Sequence, residues 1–157
     1  MTRVLAIDPG TTDSAFVVTD GSKLFDFGKI PNEELLWKIH DGYFGELPAY
    51  IEMIASYGMP VGAEVFSTCV WIGKFIQAFY PACNPRLIYR KDVKAVLCGA
   101  HPKANDATVR QALIDRFGPG KEKAVGLKRT PGPLYGVTGD VWAALGIAIT
   151  ALELSPS

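Results

Sequence analysis

Arg3-Val4-Leu5-Ala6-Ile7-Asp8-Pro9-Gly10-Thr11-Thr12 is a short apolar run that ends on a carboxylate and a Pro-Gly pair. An apolar run of this length bounded by turn residues predicts a β-strand followed by a tight loop. Ala15 to Thr19 repeats the strand signal, Asp20-Gly21-Ser22 is a hairpin-type turn, and Leu24 to Gly28 is a third strand candidate. Three short strands joined by tight turns predict an antiparallel meander.

The pattern then changes. Pro31 fits the first turn of a helix, with Glu33 and Glu34 near its positive end and Leu35, Leu36 and Ile39 as an apolar stripe. Gly42 to Pro48 leads into Ala49 to Ala55, a fourth strand candidate, and Ser56 to Pro60 reads as loop. From Glu64 to Phe79 the spacing is helical, with Val65, Cys69, Ile72, Phe75 or Ile76, and Phe79 sharing a face until Pro81 and Pro85. Arg86 to Tyr89 is a fifth strand. Asp92 to Cys98 and Asp106 to Phe117 are helices stopped by Gly99 and Gly118. Residues 118–139, rich in Gly, Pro, Lys and Arg, are expected to form a mobile basic loop. Asp140 then starts a last helix carrying Trp142, Leu145, Ile149 and Leu152. Strands first, then strands alternating with helices, predict an α/β (α+β) fold. Its mixed sheet has about five strands, three of them antiparallel at the N-terminus, with helices on its faces.

Composition sets the bounds. At 157 residues and 48% hydrophobic, the chain suits one globular domain with one core. No apolar segment with a small-residue cleavage site opens it. The runs Val65 to Phe79 and Val141 to Leu154 fall short of the roughly 20 apolar residues that span a bilayer and are expected to be buried helices. No membrane association is expected. Cys69, Cys83 and Cys98 form no CxxC pair, which speaks against a zinc or redox motif and for free thiols in a reducing cytoplasm. The formal net charge is zero, yet from Arg86 to Thr130 eleven basic residues face four acidic ones, an excess of +7 that the rest of the chain balances with −7. A basic half suits phosphates; an ordinary solvated surface has the same composition.

Three carboxylates stand where structure alone has little use for them. Asp8 ends the first strand, Glu52 interrupts Tyr50-Ile51-Glu52-Met53-Ile54, and Asp140 leads an apolar helix. Burying a lone carboxylate costs several kcal/mol unless something compensates. A divalent cation compensates directly, and oxygen-only ligands favour Mg²⁺, with Mn²⁺ as a substitute. Two such ions bridging a phosphate activate a water and stabilise the leaving oxygen, so no protein nucleophile is needed. Each residue also has a plain reading: Asp8 as a turn aspartate, Asp140 as a helix N-cap, Glu52 as a solvent-facing residue on an edge strand.

Leu5-Ala6-Ile7-Asp8-Pro9-Gly10-Thr11-Thr12 resembles the opening motif of the RuvC family of Holliday-junction resolvases. Ile51-Glu52 resembles that family's second acidic motif. Val93-Lys94-Ala95-Val96-Leu97-Cys98-Gly99 with Lys103-Ala104-Asn105-Asp106 resembles its later segment, and Asp140 to Thr150 its acidic-led last helix. The motifs come in the family's order over nearly the whole chain, and the short bacteriophage-encoded resolvases are the most similar kind. The resemblance implies a ribonuclease H-like fold with helices on both faces of the sheet. It implies a homodimer and paired Mg²⁺-dependent nicks across a four-way junction that leave 5′-phosphate and 3′-hydroxyl ends. The setting it implies is the cytoplasm of a bacterium, or of the host for a phage protein. No nucleotide cofactor is expected.

One departure stands out. Bacterial members carry two ligands three residues apart in the last helix, whereas here Asp140 is followed by Ala143. Asp106 is the first candidate for the missing ligand and Glu64 the next. Asp106 falls where the bacterial enzymes often have a basic residue, and it also reads as a helix cap. Lys91, Lys94, Lys103, Arg110, Lys128 and Arg129 are candidate DNA contacts, and Lys103 also suits the active site. Thr11 and Thr12 can offer hydroxyls or N–H groups near Asp8. Ser14 reads as plain strand, His40 and His101 as surface residues, and Trp71 as core or dimer packing. Three further readings compete: a flap, fork or hybrid nuclease of the same fold; a binding protein without catalysis; and the sugar-kinase and actin-like ATPases. Those ATPases share Asp-x-Gly-Thr-Thr but need a second domain for which 157 residues leave no room.

Overall fold

The computed structural model describes residues 2–99 and 101–155. The meander forms as expected: β1 (Val4–Asp8), β2 (Asp13–Thr19) and β3 (Leu24–Pro31) pair antiparallel in succession. β3 runs three residues past the expected Gly28 because Pro31 is extended, at ψ 143°, and closes the strand instead of opening the helix. Helix α1 (Asn32–His40) starts one residue later. β4 (Ala49–Met53) and β5 (Arg86–Tyr89) then add parallel to β1, giving the sheet order β3-β2-β1-β4-β5. Parallel neighbours need crossovers, supplied by α1 before β4 and by α2 (Ala63–Phe79) before β5. After β5 the chain forms α3 (Arg90–Cys98), α4 (Asp106–Phe117), the short α5 (Lys121–Ala124) and α6 (Val141–Leu154).

Alternation along the central strands sorts side chains to two faces. Leu5, Ile7, Phe16, Val18 and Ile51 pack under α1 and α2. Val4, Ala6, Ala15, Val17, Tyr50 and Ile88 pack under α6, which is flanked by α3 and α4 through Val93, Val109 and Leu113. Helices therefore cover both faces. α6 is apolar nearly all round because it lies between sheet and helices, with Leu145, Ile147 and Ile149 fully buried.

One expectation is corrected. α2 is not a buried helix: it buries Thr68, Ile72, Phe75 and Phe79, while Phe66 and Val70 are 63% and 58% exposed. Only one side of α2 meets α1 and β4. The stretch 118–139, expected to be a mobile basic loop, contains α5 and a bridge between Gly126 and Pro131. Ala124, Leu134 and Val137 anchor it in the same core cluster, with α5 against α4. Among the described residues no helix is long and apolar enough to cross a membrane.

Candidate active site

Register builds the site. β1 pairs with β2 at Asp8↔Ala15, and β2 with β3 at Ala15↔Lys29. On the other side Ile7 pairs with Ile51, which sets Glu52 beside Asp8 on the face that α6 covers. β4 lies between β1 and β5, so Glu52 is half-buried on an interior strand and not on an edge. The N-terminus of α6 brings Asp140 to the same end of this face.

The loop after Asp8 is pinned by groups other than Asp8. Gly10 N–H donates to Ser14 Oγ at 3.1 Å, Ser14 Oγ–H donates to Asn32 Oδ1 at 2.5 Å, and Asn32 Nδ2 donates to the Gly10 carbonyl at 2.9 Å. Ser14 and Asn32 are fully buried. A side chain at Gly10 would collide with the Asp13 carbonyl, so the loop closes too tightly for any other residue. Ser14 is thus a clamp, where its sequence position suggested plain strand. Asn32 gave no signal at all.

Asp8 is therefore free of turn duties. Burial and the adjacent Glu52 carboxyl, with the Asp140 charge behind, push its pKa up from 3.8 to about 9; the Arg90 guanidinium pulls the other way. Glu52 stands within hydrogen-bond reach of the Asp8 carboxyl. Asp140 occupies the N-cap position of α6 but caps nothing. Its carboxylate accepts a 2.7 Å bond from Lys29 Nζ and holds that ammonium above its ordinary pKa.

The donor chemistry fits a divalent cation. Asp8 and Glu52 are neighbours and the Asp140 charge is felt at Asp8, so a cation at this corner would compensate all three hard carboxylates. As arranged, no three His, Cys, Asp or Glu side chains among the described residues are close enough to hold an ion, and Asp140 is paired with Lys29.

Beside this corner lies a cleft of about 250 Å³ lined by Arg90, Asp106, Arg110, Asp140, Trp142 and Ala143. The small Ala143 leaves the space, and Asp106 faces it from α4. Asp106 is not the cap of α4: Asn105 accepts from Thr108 N–H at 3.0 Å and performs that role. Instead Asp106 is ion-paired with Arg90, a residue not singled out by its motif context. Glu64 is exposed in the first turn of α2 and is not among the charges felt by Asp8. Arg110 lies on the cleft rim with its guanidinium 5.2 Å from the Trp142 ring. Lys91, Lys103, Lys128 and Arg129 are exposed and Lys94 is half-buried. Lys103 does not line the cleft. His40 and His101 are on the surface.

No family model and no curated protein matches the chain. Solved structures do. Thermus thermophilus RuvC in complex with a Holliday junction substrate superposes with a TM-score of 0.65 at 19% identity, over 96% of this chain and 92% of that one. A second Thermus thermophilus RuvC structure gives 0.64 at 21% identity, over 95% and 92%. The fold is the ribonuclease H-like fold of RuvC.

Proposed function

We propose that the protein is a metal-dependent DNA endonuclease that cuts four-way junctions. The observation that carries this reading is the convergence of Asp8, Glu52 and Asp140 at one end of the sheet. It occurs on a fold shared from end to end with a protein solved on a Holliday junction. Asp8 and Glu52, joined by Asp140 once Lys29 lets go, would hold divalent ions, Mg²⁺ or Mn²⁺. Such ions, when bound, neutralise the phosphate and lower the pKa of a water. The water oxygen bonds to phosphorus and the bond from phosphorus to the 3′ oxygen breaks. That oxygen gains a proton, which leaves a 5′-phosphate and a 3′-hydroxyl.

The residues of this chain do the rest. The Gly10–Ser14–Asn32 clamp fixes the backbone that aims Asp8. Lys29 keeps Asp140 compensated until a cation replaces it. Lys91, Lys94, Lys103, Arg110, Lys128 and Arg129 belong to the basic half that would follow the DNA arms. A homodimer would place two such sites on opposed strands.

The test is cleavage of a synthetic four-way junction, a flap and a plain duplex in Mg²⁺ by wild type and Asp8→Asn. Paired nicks in the junction alone, abolished in the variant with binding intact, are expected. Cutting of every branched substrate would demote the protein to a general structure-selective nuclease. Ala143 and the Lys29–Asp140 pair favour a second reading, a junction-binding protein without catalysis; binding with no cleavage in any metal would establish it.

A further inference from the structure

Arg90 is the first residue of α3, directly after β5, and its side chain is three-quarters buried at 25% exposure. One terminal nitrogen, Nη2, is engaged by Asp106. The other, Nη1, is buried and has no hydrogen-bond partner among the described residues. A buried guanidinium N–H without an acceptor is costly, so its retention calls for a reason. The cleft supplies one. Arg90 lines it together with Asp140, and its charge is felt at Asp8. Guanidinium is the group best suited to grip phosphate oxygens two at a time.

We infer that Arg90 receives the scissile phosphate in the cleft beside Asp8 and Asp140, and that Asp106 is the counter-ion on which it rests in the free protein. This rests on the nuclease reading for its chemistry. Attack on phosphorus adds negative charge to the non-bridging oxygens, and a fixed guanidinium stabilises that charge more than it stabilises the bound substrate. No bond to Arg90 forms or breaks. The Arg90–Asp106 pair also accounts for an acid in a basic region that neither caps its helix nor stands with the other carboxylates. Asp106 is then a partner of the phosphate-binding cation and not the missing fourth ligand. Its exposure of 87% lets it release the arginine to an incoming phosphate at little penalty.

The experiment combines variants with a direct view of the side chain. In single-turnover cleavage, Arg90→Ala is expected to lose roughly 10²–10³-fold in rate while junction affinity changes far less. Added guanidinium ion, well below unfolding concentrations, should restore part of the rate, and Arg90→Lys should retain part of it. Asp106→Asn should lower the rate by less than tenfold, far short of the loss in Asp8→Asn. A structural strut would give neither rescue nor the split between rate and affinity. Cleavage by Arg90→Ala at the wild-type rate overturns the proposal, as does an Asp106→Asn variant as dead as Asp8→Asn. Arginine side-chain N–H spectra decide the matter even if wild type cuts nothing, which would sink the nuclease reading instead. With Ca²⁺ in place of Mg²⁺, the Arg90 signal, assigned by its loss in Arg90→Lys, should shift on adding junction DNA. An unmoved signal overturns the proposal.

Discussion

A carboxyl whose pKa stands near 9 in the folded chain, against an ordinary 3.8, binds a proton that the unfolded chain gives up. The sign follows from linkage: in metal-free protein this contribution to stability is complete below pH 3.8 and is lost as pH rises towards 9, by at most about 1.4 kcal/mol per pH unit. Melting curves in EDTA should therefore fall between pH 5 and 9, and Asp8→Asn should flatten that fall and melt higher at the alkaline end. Parallel curves for wild type and variant would show that Asp8 is ionised and compensated in some other way. Asn32→Ala tests the neighbouring clamp. It strips partners from buried Ser14 and from Gly10, so a loss of about 1–3 kcal/mol is expected, together with slower cleavage, because the loop that aims Asp8 is released. An unchanged melting temperature would mean that water replaces the amide. At this scale the three carboxylates that meet at this corner stood out because a charge within or beside an apolar run has few structural uses. Asn32 was not, since its partner Ser14 lies 18 positions away and nothing local announces the pairing. The Arg90–Asp106 pair, 16 positions apart, was hidden for the same reason.

Elements were legible where turn chemistry marked their ends. Asp20-Gly21-Ser22 sets the β2–β3 hairpin, with Asp20 accepting from Ser22 and Lys23 N–H, and Gly99 stops α3 at φ 64°. The burial of α2 was misread because apolar residues surround the helix, and periodicity alone does not say which side the sheet takes. α5 was missed because four residues carry too little pattern. α6 is the element on which the site depends, since its first turn carries Asp140 while its middle is held against the sheet. At Gly146 an added Cβ would stand 3.2 Å from Val93 Cγ1 and 3.6 Å from Val109 Cγ1, so α3 and α4 approach α6 through this glycine. Gly146→Leu is expected to destabilise by about 1–3 kcal/mol through overpacking. It should also slow cleavage by moving Asp140 and Arg90 apart. Thermal melting and single-turnover rates check both; a variant as stable and active as wild type would show that these helices yield freely.

For the whole molecule, the zero net charge conceals an uneven distribution. The +7 excess from Arg86 to Thr130 runs from β5 through α3 and α4 to the segment around α5, and two of its cations, Arg90 and Arg110, line the cleft. Junction affinity should fall steeply with salt, with log K linear in log salt concentration; a flat response would remove these helices from the interface.

Symmetry makes the further demand. Each chain holds one corner of carboxylates, so the paired nicks proposed above would need two sites related by a two-fold axis. The exposed side of α2 is the surface best suited to supply that axis. Phe66 and Val70 lie one turn apart, Met59 is 71% exposed just before the helix, and Gly73, with open space where a Cβ would stand, continues the stripe. Two large apolar side chains exposed one turn apart on the same helix are candidates for a protein interface. α2 lies across the sheet from α6, so pairing through it would leave both clefts open to DNA. Sedimentation at micromolar concentration should give a dimer for wild type and a monomer for the double variant Phe66→Asp, Val70→Asp. That monomer should still fold, because neither side chain is in the core, and should nick single strands without pairing the cuts. A wild type that sediments as a monomer without DNA would place assembly on the junction itself, and a double variant that stays dimeric would move the two-fold axis to another face.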